Sequence, residues 1–303
     1  MSDPREALRT LRDLMRYAVS RFNEAKLAFG HGTDDAWDEA AYLLLHMLHL
    51  PLDTLDPFLD ARILPDERTR FLELVERRVS ERLPAAYLTG EAWLQGYRFI
   101  VDSRVIIPRS PIAECLAHGL SPWIANPDEL HTVLDLCTGS GCLAILAALA
   151  FDNARVDATD LSEDALAVAH ANIEQFGLEE RITTYQGNLF DGLPGHQYDL
   201  IICNPPYVNA RAMAMLPAEY RHEPSMALAG GEDGMDFVRR ILRDAPDAMT
   251  ADGLLMLEIG NEYDHFAAAF PNINPVWIAT QSAENQILLL THEELSAGGR
   301  STP

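Results

Sequence analysis

The sequence predicts a doubly wound α/β domain with a mostly parallel sheet, preceded by a smaller helical domain. Three observations favour this fold class. Amphipathic helical patterns fill the first part of the chain, short strand-type runs alternate with helical runs from residue 131 onward, and a glycine-containing segment joins the first of these strands to its helix. Strand–helix–strand crossovers return the chain to the same edge, which makes the strands parallel.

Residues 1–85 are expected to form the helical domain. The first predicted helix runs from about Pro4 to Phe29, with apolar residues in steps of three and four. A second runs from about Asp35 to His49, and a third from near Pro65 to Pro84. Each pattern places one apolar stripe where it can be buried against the other helices.

Residues 86–108 have a different pattern and predict a β-hairpin that links the two domains. Phe99, Val101 and the run 105–107 are strand-forming, and the polar run 102–104 is expected to be the turn between them.

Residues 109–295 carry the strand–helix alternation of the predicted catalytic domain. Its predicted strands are Thr132–Leu136, Arg155–Thr159, Arg181–Gln186, Asp199–Cys203, Leu254–Ile259, Trp277–Gln281 and Gln286–Thr291. Its predicted helices are Cys142–Ala150, Ser162–Gly177, Met235–Met249 and Glu262–Ala269. The last two strands predict a closing hairpin, with one antiparallel strand at the end of the sheet. Residues 296–303 are expected to be a disordered tail.

Composition excludes several classes of function. The formal net charge of −23 opposes binding to nucleic-acid phosphates, and it fits either a basic protein partner or a solubilising surface. No apolar run is long enough to span a membrane and the first ten residues lack a signal-peptide core, so we expect a cytoplasmic protein without membrane contact. The four cysteines form no CxxC pair, and His46 with His49 lacks further ligands, so no metal site is expected. The oligomeric state is not readable from the sequence.

A glycine loop follows the first strand of the α/β region. The loop reads Asp135-Leu136-Cys137-Thr138-Gly139-Ser140-Gly141. Glycine permits positive φ and close approach of a ligand, and the carboxyl edge of such a sheet is where α/β domains bind ligands. Ala144 stands where a nicotinamide dehydrogenase has its third glycine, which argues against that class.

Two later strand ends carry polar residues that can complete a nucleoside site. Asp160 follows the second strand by the spacing at which a carboxylate accepts hydrogen bonds from ribose, although an acid before Ser162 can also cap a helix. Asn188 and Leu189 follow the third strand, where a polar group can meet an adenine amino group or simply form a turn. Both alternatives remain open for each position.

The most specific motif is Asn204-Pro205-Pro206-Tyr207, which directly follows a hydrophobic strand. An amide nitrogen is a poor nucleophile because its lone pair is delocalised into the carbonyl. The Asn204 side-chain oxygen and the Pro205 carbonyl can accept its two hydrogens, the prolines keep these acceptors rigid, and Tyr207 offers a flat face to a planar amide. Oriented dipoles would then stabilise the charge that develops on nitrogen. The alternative is a proline loop that only ends the strand.

These motifs together resemble the class I S-adenosylmethionine-dependent methyltransferases and, within them, the HemK-like protein-(glutamine-N5) methyltransferases. The resemblance extends from about Arg82 to Thr291. The segments that carry it are 82–90, 99–109, the loop from Asp135, Asn204–Tyr207, 220–224 with 227–228, 230–234 and 257–260.

The resemblance implies a Rossmann-like seven-stranded sheet, S-adenosylmethionine as cofactor, and a helical domain that recognises the substrate. The implied cofactor-binding residues are Pro108, Arg109, Asp135, Thr138, Gly139, Ser140, Gly141, Asp160, Asn188, Leu189 and Asn204, and the implied catalytic residues are Asn204, Pro205, Pro206 and Tyr207. Arg109 can pair with the cofactor carboxylate or form an ordinary salt bridge. Asn188 departs from the family, which usually has aspartate there, but its oxygen can still accept a hydrogen bond.

The segment after the linker separates two subgroups of this family. Release-factor enzymes usually read Pro-Arg-Pro-Glu-Thr-Glu, whereas this chain reads Pro108-Arg109-Ser110-Pro111-Ile112-Ala113-Glu114 and resembles the PrmB-type enzymes. That subgroup methylates a glutamine of the third protein of the large ribosomal subunit, which is a basic substrate. The alternatives are a release-factor glutamine methyltransferase, a DNA adenine methyltransferase and a non-catalytic ribosome assembly factor.

Overall fold

The computed structural model describes residues 7–52 and 54–298. It divides the chain into two compact units. The first unit combines the described residues up to Ala92 with the distant segment Pro217–His222, and the second contains Trp93–Leu216 and the described residues from Glu223 onward. The sequence placed the first boundary at residue 85 and did not separate 217–222 from the catalytic domain.

The first unit is built from four helices. They are α1 (Leu11–Glu24), α2 (Ala36–Leu48), α3 (Pro65–Ser80) and α4 (Ala85–Thr89). The hydroxyl of Thr10 and the carboxylate of Asp13 form a capping box that starts α1, while the predicted start at Pro4 lies outside the described residues. The helix ends at Glu24, before the predicted Phe29, and Lys26 beyond it takes a left-handed φ of 50°.

A buried ion cluster lies in the apolar core of the first unit. Arg78 is fully buried, and its Nε lies 2.7 Å from Oε1 of Glu39. Glu219, from the segment 217–222, accepts hydrogen bonds from the Ala28 N–H (3.1 Å) and from Arg82 (2.9 Å). These contacts explain why a segment so distant in sequence belongs to the helical unit.

The linker contains a hairpin, but not at the predicted position. Strands β1 (Glu91–Leu94) and β2 (Tyr97–Ile100) are joined at Gln95 and Gly96, which both have positive φ. Such a pair of residues forms the tight turn that matches the twist of two strands. The predicted turn at 102–104 is confirmed, because the Val105 N–H donates to the Asp102 carbonyl at 3.1 Å. The strands predicted on either side of it, at Val101 and 105–107, are wrong, because these residues lie outside the strands of the structure.

The second unit is the α/β domain that the sequence predicts. Its helices are α5 (Ile112–Ala117), α6 (Cys142–Ala150), α7 (Glu163–Phe176), α8 (Ala210–Met215), α9 (Asp236–Ala248), α10 (Tyr263–Ala269) and α11 (His292–Gly298). Its strands are β3 (Thr132–Leu136), β4 (Arg155–Asp160), β5 (Ile182–Gln186), β6 (Tyr198–Cys203), β7 (Met249–Glu258), β8 (Val276–Ile278) and β9 (Ile287–Thr291).

The seven strands form one sheet in the order β5-β4-β3-β6-β7-β9-β8. The first five are parallel, and β9 is antiparallel to both of its neighbours. The antiparallel strand thus lies one place inside the edge, which β8 occupies. Successive residues of β6 point to opposite faces of the sheet, and Ile201 and Ile202 belong to two different apolar clusters. Both faces of the sheet are therefore buried.

Register brings the functional loops to one edge of the sheet. Leu136 pairs with Cys203 across β3 and β6, and Cys203 pairs with Leu257 across β6 and β7. On the other side, Leu136 pairs with Thr159 of β4. The residues that follow these positions therefore leave the sheet at the same level, which is the physical reason for a shared site.

The end of the chain differs from the expected disordered tail. Residues 296–298 lie in α11, which starts where the Thr291 hydroxyl and the Glu294 carboxylate each accept a backbone N–H from the other residue. Leu295 anchors this helix in the core, and residues 299–303 lie outside the described part of the chain. Among the described helices, none combines the length and apolar character that crossing a membrane requires.

Candidate active site

Two adjoining cavities lie at the carboxyl edge of the sheet. The larger has a volume of about 660 Å³, including space open to solvent, and the smaller about 370 Å³. Both are lined by Ile106, Cys137, Gly139 and Asn204. Asn204 therefore lies where the two cavities meet.

The predicted cofactor residues divide between these cavities. Asp160, Asn188 and Leu189 line the larger cavity. Pro108, Arg109, Thr138 and Ser140 line the smaller one. Asp135 and Gly141 line neither, so their contribution to a bound ligand would be indirect.

Asp135 organises the glycine loop from beneath. Its Oδ2 accepts hydrogen bonds from the Thr138 hydroxyl (2.5 Å) and from the Ala144 N–H (3.1 Å). Burial raises the pKa of Asp135 to about 7, against the lowering effect of these two donors. Its other oxygen, Oδ1, is buried without a hydrogen-bond partner among the described residues.

The two glycines of the loop have different roles. Gly139 has a φ of 56°, and its N–H donates to Oδ2 of Asp160 at 2.9 Å. Gly141 has a φ of 79° and lies so close to Ala169 of α7 that a Cβ would be 3.2 Å from the Ala169 Cβ. Gly141 thus permits close packing of α7 against the loop, while Gly139 is exposed to the cavity.

Asp160 is held by backbone donors at the wall of the larger cavity. Its carboxylate accepts the N–H groups of Gly139 and Ser162, each at 2.9 Å, and it also lines the larger cavity. Burial raises its pKa, and these backbone donors partly offset that effect. A contact between Asp160 and ribose stays a prediction. The hydrogen bonds from Gly139 and Ser162 fix the position of the carboxylate.

Asn188 has an arginine partner that the sequence did not reveal. Nη1 of Arg240, on α9, donates to Oδ1 of Asn188 at 2.9 Å. An arginine donor fixes which end of the amide is oxygen, so the side-chain orientation is defined. Contact of Asn188 with adenine stays a prediction.

Arg109 forms an ion pair with a buried carboxylate. Its two terminal nitrogens lie 2.5 and 2.8 Å from the two oxygens of Glu223, which also accepts the Ile107 N–H at 2.9 Å. This bidentate pair fixes the segment that carries Pro108. The same guanidinium also donates to the Ile107 carbonyl at 3.0 Å. Contact between Arg109 and the cofactor carboxylate stays a prediction.

The turn Asn204–Tyr207 is held rigidly at the end of β6. Pro205 and Pro206 are buried, and the Tyr207 hydroxyl donates to Oε1 of Glu258 at 2.8 Å. Gly260 has a φ of 53°, and a Cβ there would overlap the Tyr207 ring. Burial and the neighbouring Glu258 carboxylate raise the pKa of Tyr207 well above its usual range, so this phenol stays protonated.

These residues fit S-adenosylmethionine. The loop backbone at Gly139 is open to the larger cavity, and the carboxylate of Asp160 lines the same cavity, where it can accept hydrogen bonds from hydroxyl groups of a ligand.

Sequence reasoning did not single out four residues that shape this site. Glu258 accepts hydrogen bonds from Tyr207 and from Ser110, and Glu223 holds Arg109. Asn172 donates to the Ser140 carbonyl of the glycine loop at 2.8 Å. Three of them, Ser110, Glu223 and Glu258, lie within or directly beside the segments that carry the family resemblance. That position was the one signal that could have identified them.

Comparisons with known proteins identify methyltransferase domains in this chain. A model of the "Methyltransferase small domain" matches residues 120–219, and a model of the "PrmC N-terminal domain" matches residues 13–90. The hMettl16 catalytic domain, solved in complex with a MAT2A 3′UTR hairpin, aligns with a TM-score of 0.51 at 18% identity over 84% of this chain and 91% of that chain. At this identity the likeness supports the fold alone.

Curated relatives match nearly the whole chain. A Bordetella pertussis protein named ribosomal protein uL3 glutamine methyltransferase is 65% identical over 96% of this chain and 98% of its own length. Proteins of the same name from Burkholderia pseudomallei and Neisseria meningitidis are 59% and 52% identical, over 95% and 96% of this chain and 96% and 95% of their own lengths. With this identity over both units and a sheet of the class I type, the chain belongs to the HemK-like protein-(glutamine-N5) methyltransferases, enzymes that use S-adenosylmethionine.

Proposed function

We propose that this enzyme methylates the side-chain amide nitrogen of one glutamine in ribosomal protein uL3. The observation that carries the proposal is the position of Asn204 at the junction of the two cavities, followed by the rigid Pro205-Pro206 turn. The names of the relatives support uL3 as the substrate.

The chain's own groups suit a carboxamide. The Asn204 side-chain oxygen accepts one amide hydrogen of the glutamine, and the Pro205 carbonyl accepts the other. Holding both hydrogens orients the nitrogen and gives its developing positive charge two acceptor dipoles. Because the turn is buried and proline fixes φ, these acceptors need little rearrangement during the reaction.

The cofactor would be held by the residues that line the two cavities, with Asp160 as the ribose acceptor and the glycine loop beside it. When bound it supplies an electrophilic methyl group on a sulfonium. The chemistry it would supply is transfer of this methyl group to the glutamine nitrogen, which would lose one proton to water. Asn204 and Pro205 hold that nitrogen's hydrogens until the proton leaves.

Overall charge supports a basic protein as the substrate. The net charge of −23 attracts a cationic ribosomal protein and repels DNA or RNA phosphates. We propose that the helical unit takes part in recognising uL3, and that the reaction takes place in the cytoplasm, where ribosomal proteins are made. Raising the salt concentration should lower kcat/KM for uL3, since screening weakens long-range attraction.

Transfer of labelled methyl groups to purified uL3, release factors and DNA tests the proposal. We expect one methyl group on one uL3 glutamine, located by mass spectrometry. Asn204→Ala should lower kcat/KM by about 10²–10³-fold, as loss of a preorganised hydrogen-bonding group does. Asn153→Ala is the matched control, because that exposed side chain donates to the Asp128 carbonyl and lines neither cavity.

The other substrates define the outcomes that contradict the proposal. Labelling of a release factor in preference to uL3 would assign the enzyme to the other subgroup. Labelling of DNA would show that the Asn204–Tyr207 turn accepts a nucleobase amino group in place of glutamine. If no substrate is labelled, a non-catalytic role in ribosome assembly would be favoured.

A further inference from the structure

Glu258 lies at the level of the catalytic turn. It is the last residue of β7, and the preceding Leu257 is paired with Cys203 of β6. Asn204 follows Cys203, so the parallel register places Glu258 beside the start of the Asn204–Tyr207 turn. On its other side, Glu258 is paired with Ile287 of β9, which fixes its backbone within the sheet.

The Glu258 carboxylate has a donor for each oxygen. Oε1 accepts the Tyr207 hydroxyl at 2.8 Å, and Oε2 accepts the Ser110 hydroxyl at 2.5 Å. The residue is only 3% exposed. Burial raises its pKa, while the two hydroxyl donors and the nearby Arg109 counteract that rise.

These two hydrogen bonds connect different parts of the site. Ser110 directly follows Pro108 and Arg109, which line the smaller cavity, whereas Tyr207 ends the catalytic turn. A buried carboxylate is costly unless it is fully hydrogen-bonded, and an apolar residue of similar size would avoid that cost. A simple packing role therefore accounts poorly for a glutamate at this position.

The Tyr207 ring is constrained at both ends. Gly260 leaves space for the ring edge, and the hydroxyl is held by Glu258. A tyrosine side chain has two rotatable torsions, so contacts at the ring edge and the hydroxyl suffice to fix its orientation.

We propose that Glu258 is a positioning residue for methyl transfer: it holds Tyr207 and Ser110, and thereby keeps the catalytic turn and the Pro108–Ser110 segment at a fixed spacing. The inference rests on the proposed function, because it assigns Tyr207 to the amide site. Glu258 acts through its two partners and does not need to touch the substrate.

The test compares Glu258→Ala, Glu258→Gln and Tyr207→Phe in the full chain, with uL3 as substrate. Glu258→Ala should lower kcat by about 10–100-fold, as a small misplacement of a reacting group does. Glu258→Gln should recover most of the activity, since the amide oxygen can accept from Tyr207 and the amide nitrogen can donate to a reoriented Ser110 hydroxyl. Affinity for S-adenosylhomocysteine, measured by calorimetry, should change by less than about 3-fold.

A double-mutant cycle separates positioning from general stability. Tyr207→Phe removes the same hydrogen bond from the other side, so the double variant Glu258→Ala/Tyr207→Phe should be no slower than the slower single variant. The matched control is Tyr198→Phe. The Tyr198 hydroxyl donates to the buried Asp157 at 2.7 Å in the same sheet, and Tyr198 lines neither cavity. It should reduce thermal stability and leave kcat unchanged.

Several outcomes would overturn the proposal. Full kcat in Glu258→Ala, equal losses in the alanine and glutamine variants, or additive effects of Glu258→Ala and Tyr207→Phe would each do so. If Glu258→Ala does not fold, full kcat in Tyr207→Phe alone contradicts it. Failure of the wild-type enzyme to methylate uL3 would instead contradict the proposed function, which keeps the two tests separate.

Discussion

At the scale of single residues, the site depends on carboxylates whose surroundings differ. Asp135 is buried beneath the loop with one unpaired oxygen, Asp160 is held by backbone donors at the cavity wall, and Glu258 is held by two hydroxyls. The sequence identified the first two from their places at strand ends. It did not identify Glu258, whose partners come from positions 51 and 148 residues away along the chain.

The buried Asp135 predicts a pH dependence of stability in the cofactor-free protein. Its pKa is raised from 3.8 to about 7 in the folded state. The folded form therefore binds this proton more tightly, so the stabilisation is fully present below about pH 4 and is lost as the pH rises through about 7. Chemical denaturation from about pH 5 to 8.5 should show a steeper loss of stability in wild type than in Asp135→Asn. Equal pH dependence in the two proteins would contradict this assignment.

Gly260→Ala should impair activity more than its effect on stability explains. The φ of 53° makes alanine cost about 1–2 kcal/mol of folding free energy, and the new Cβ would also displace the Tyr207 ring from Glu258. Gly177→Ala is the matched control, with a φ of 67° and no atom within 4 Å of the new Cβ. We expect strain to lower Tm in both variants, with the larger loss at position 260, where the overlap with Tyr207 is added, and a fall in kcat of about 10-fold or more at position 260 alone. Equal kcat values in the two variants would argue against a tight fit around Tyr207.

At the scale of elements, helix α7 connects the hairpin to the glycine loop. The Asn172 amide, which is fully buried, accepts the Ile100 N–H at 2.7 Å and donates to the carbonyls of Ile100 (3.0 Å) and Ser140 (2.8 Å). One side chain thus forms hydrogen bonds with strand β2 and with the glycine loop. This contact also explains why the hairpin ends at Ile100 and does not continue into the predicted strand.

Asn172→Ala should destabilise the second unit by about 3 kcal/mol, because it leaves buried backbone groups of Ile100 and Ser140 unpaired. It should also weaken S-adenosylhomocysteine binding, since Ser140 belongs to the loop. Gln175→Ala is the matched control on the same helix, as its exposed amide also bonds to β2, at Arg98. That change should cost less than about 1 kcal/mol in urea denaturation. Similar losses in the two variants would contradict a special role for Asn172.

At the scale of the whole molecule, the chain folds as two units, and the helical unit is built from two separate segments of the sequence. The segment Pro217–His222 lies within the sequence of the α/β domain but belongs to the helical unit. There Glu219 forms an ion pair with Arg82 and lies 3.6 Å from Arg78. Burial would raise the pKa of Glu219, but the Ala28 N–H and Arg82 outweigh it and the pKa is lowered. The helical unit is therefore completed by residues that lie more than a hundred positions downstream.

Glu219→Ala should selectively loosen the helical unit. Removing the buried carboxylate takes an acceptor from the Ala28 N–H and from Arg82, which should cost about 1–3 kcal/mol. The exposed pair of Arg21 and Glu24 in the same unit gives the matched control, Glu24→Ala, which should cost less than about 1 kcal/mol. Hydrogen–deuterium exchange should rise in α1 to α3 for the first variant only. Unchanged protection in these helices would show that the segment 217–222 does not stabilise them.

The sequence by itself determined the α/β class, most strands and helices of the second unit, and the positions of the loops that follow β3, β4 and β6. It could do so because buried strands, amphipathic helices and glycine or proline turns are local patterns. Only the tertiary structure decided the position of the hairpin, the transfer of residues 217–222 to the helical unit, and the partners of Asn188, Arg109 and Tyr207. These features depend on contacts between residues that are far apart in the sequence. A local sequence pattern does not specify such contacts.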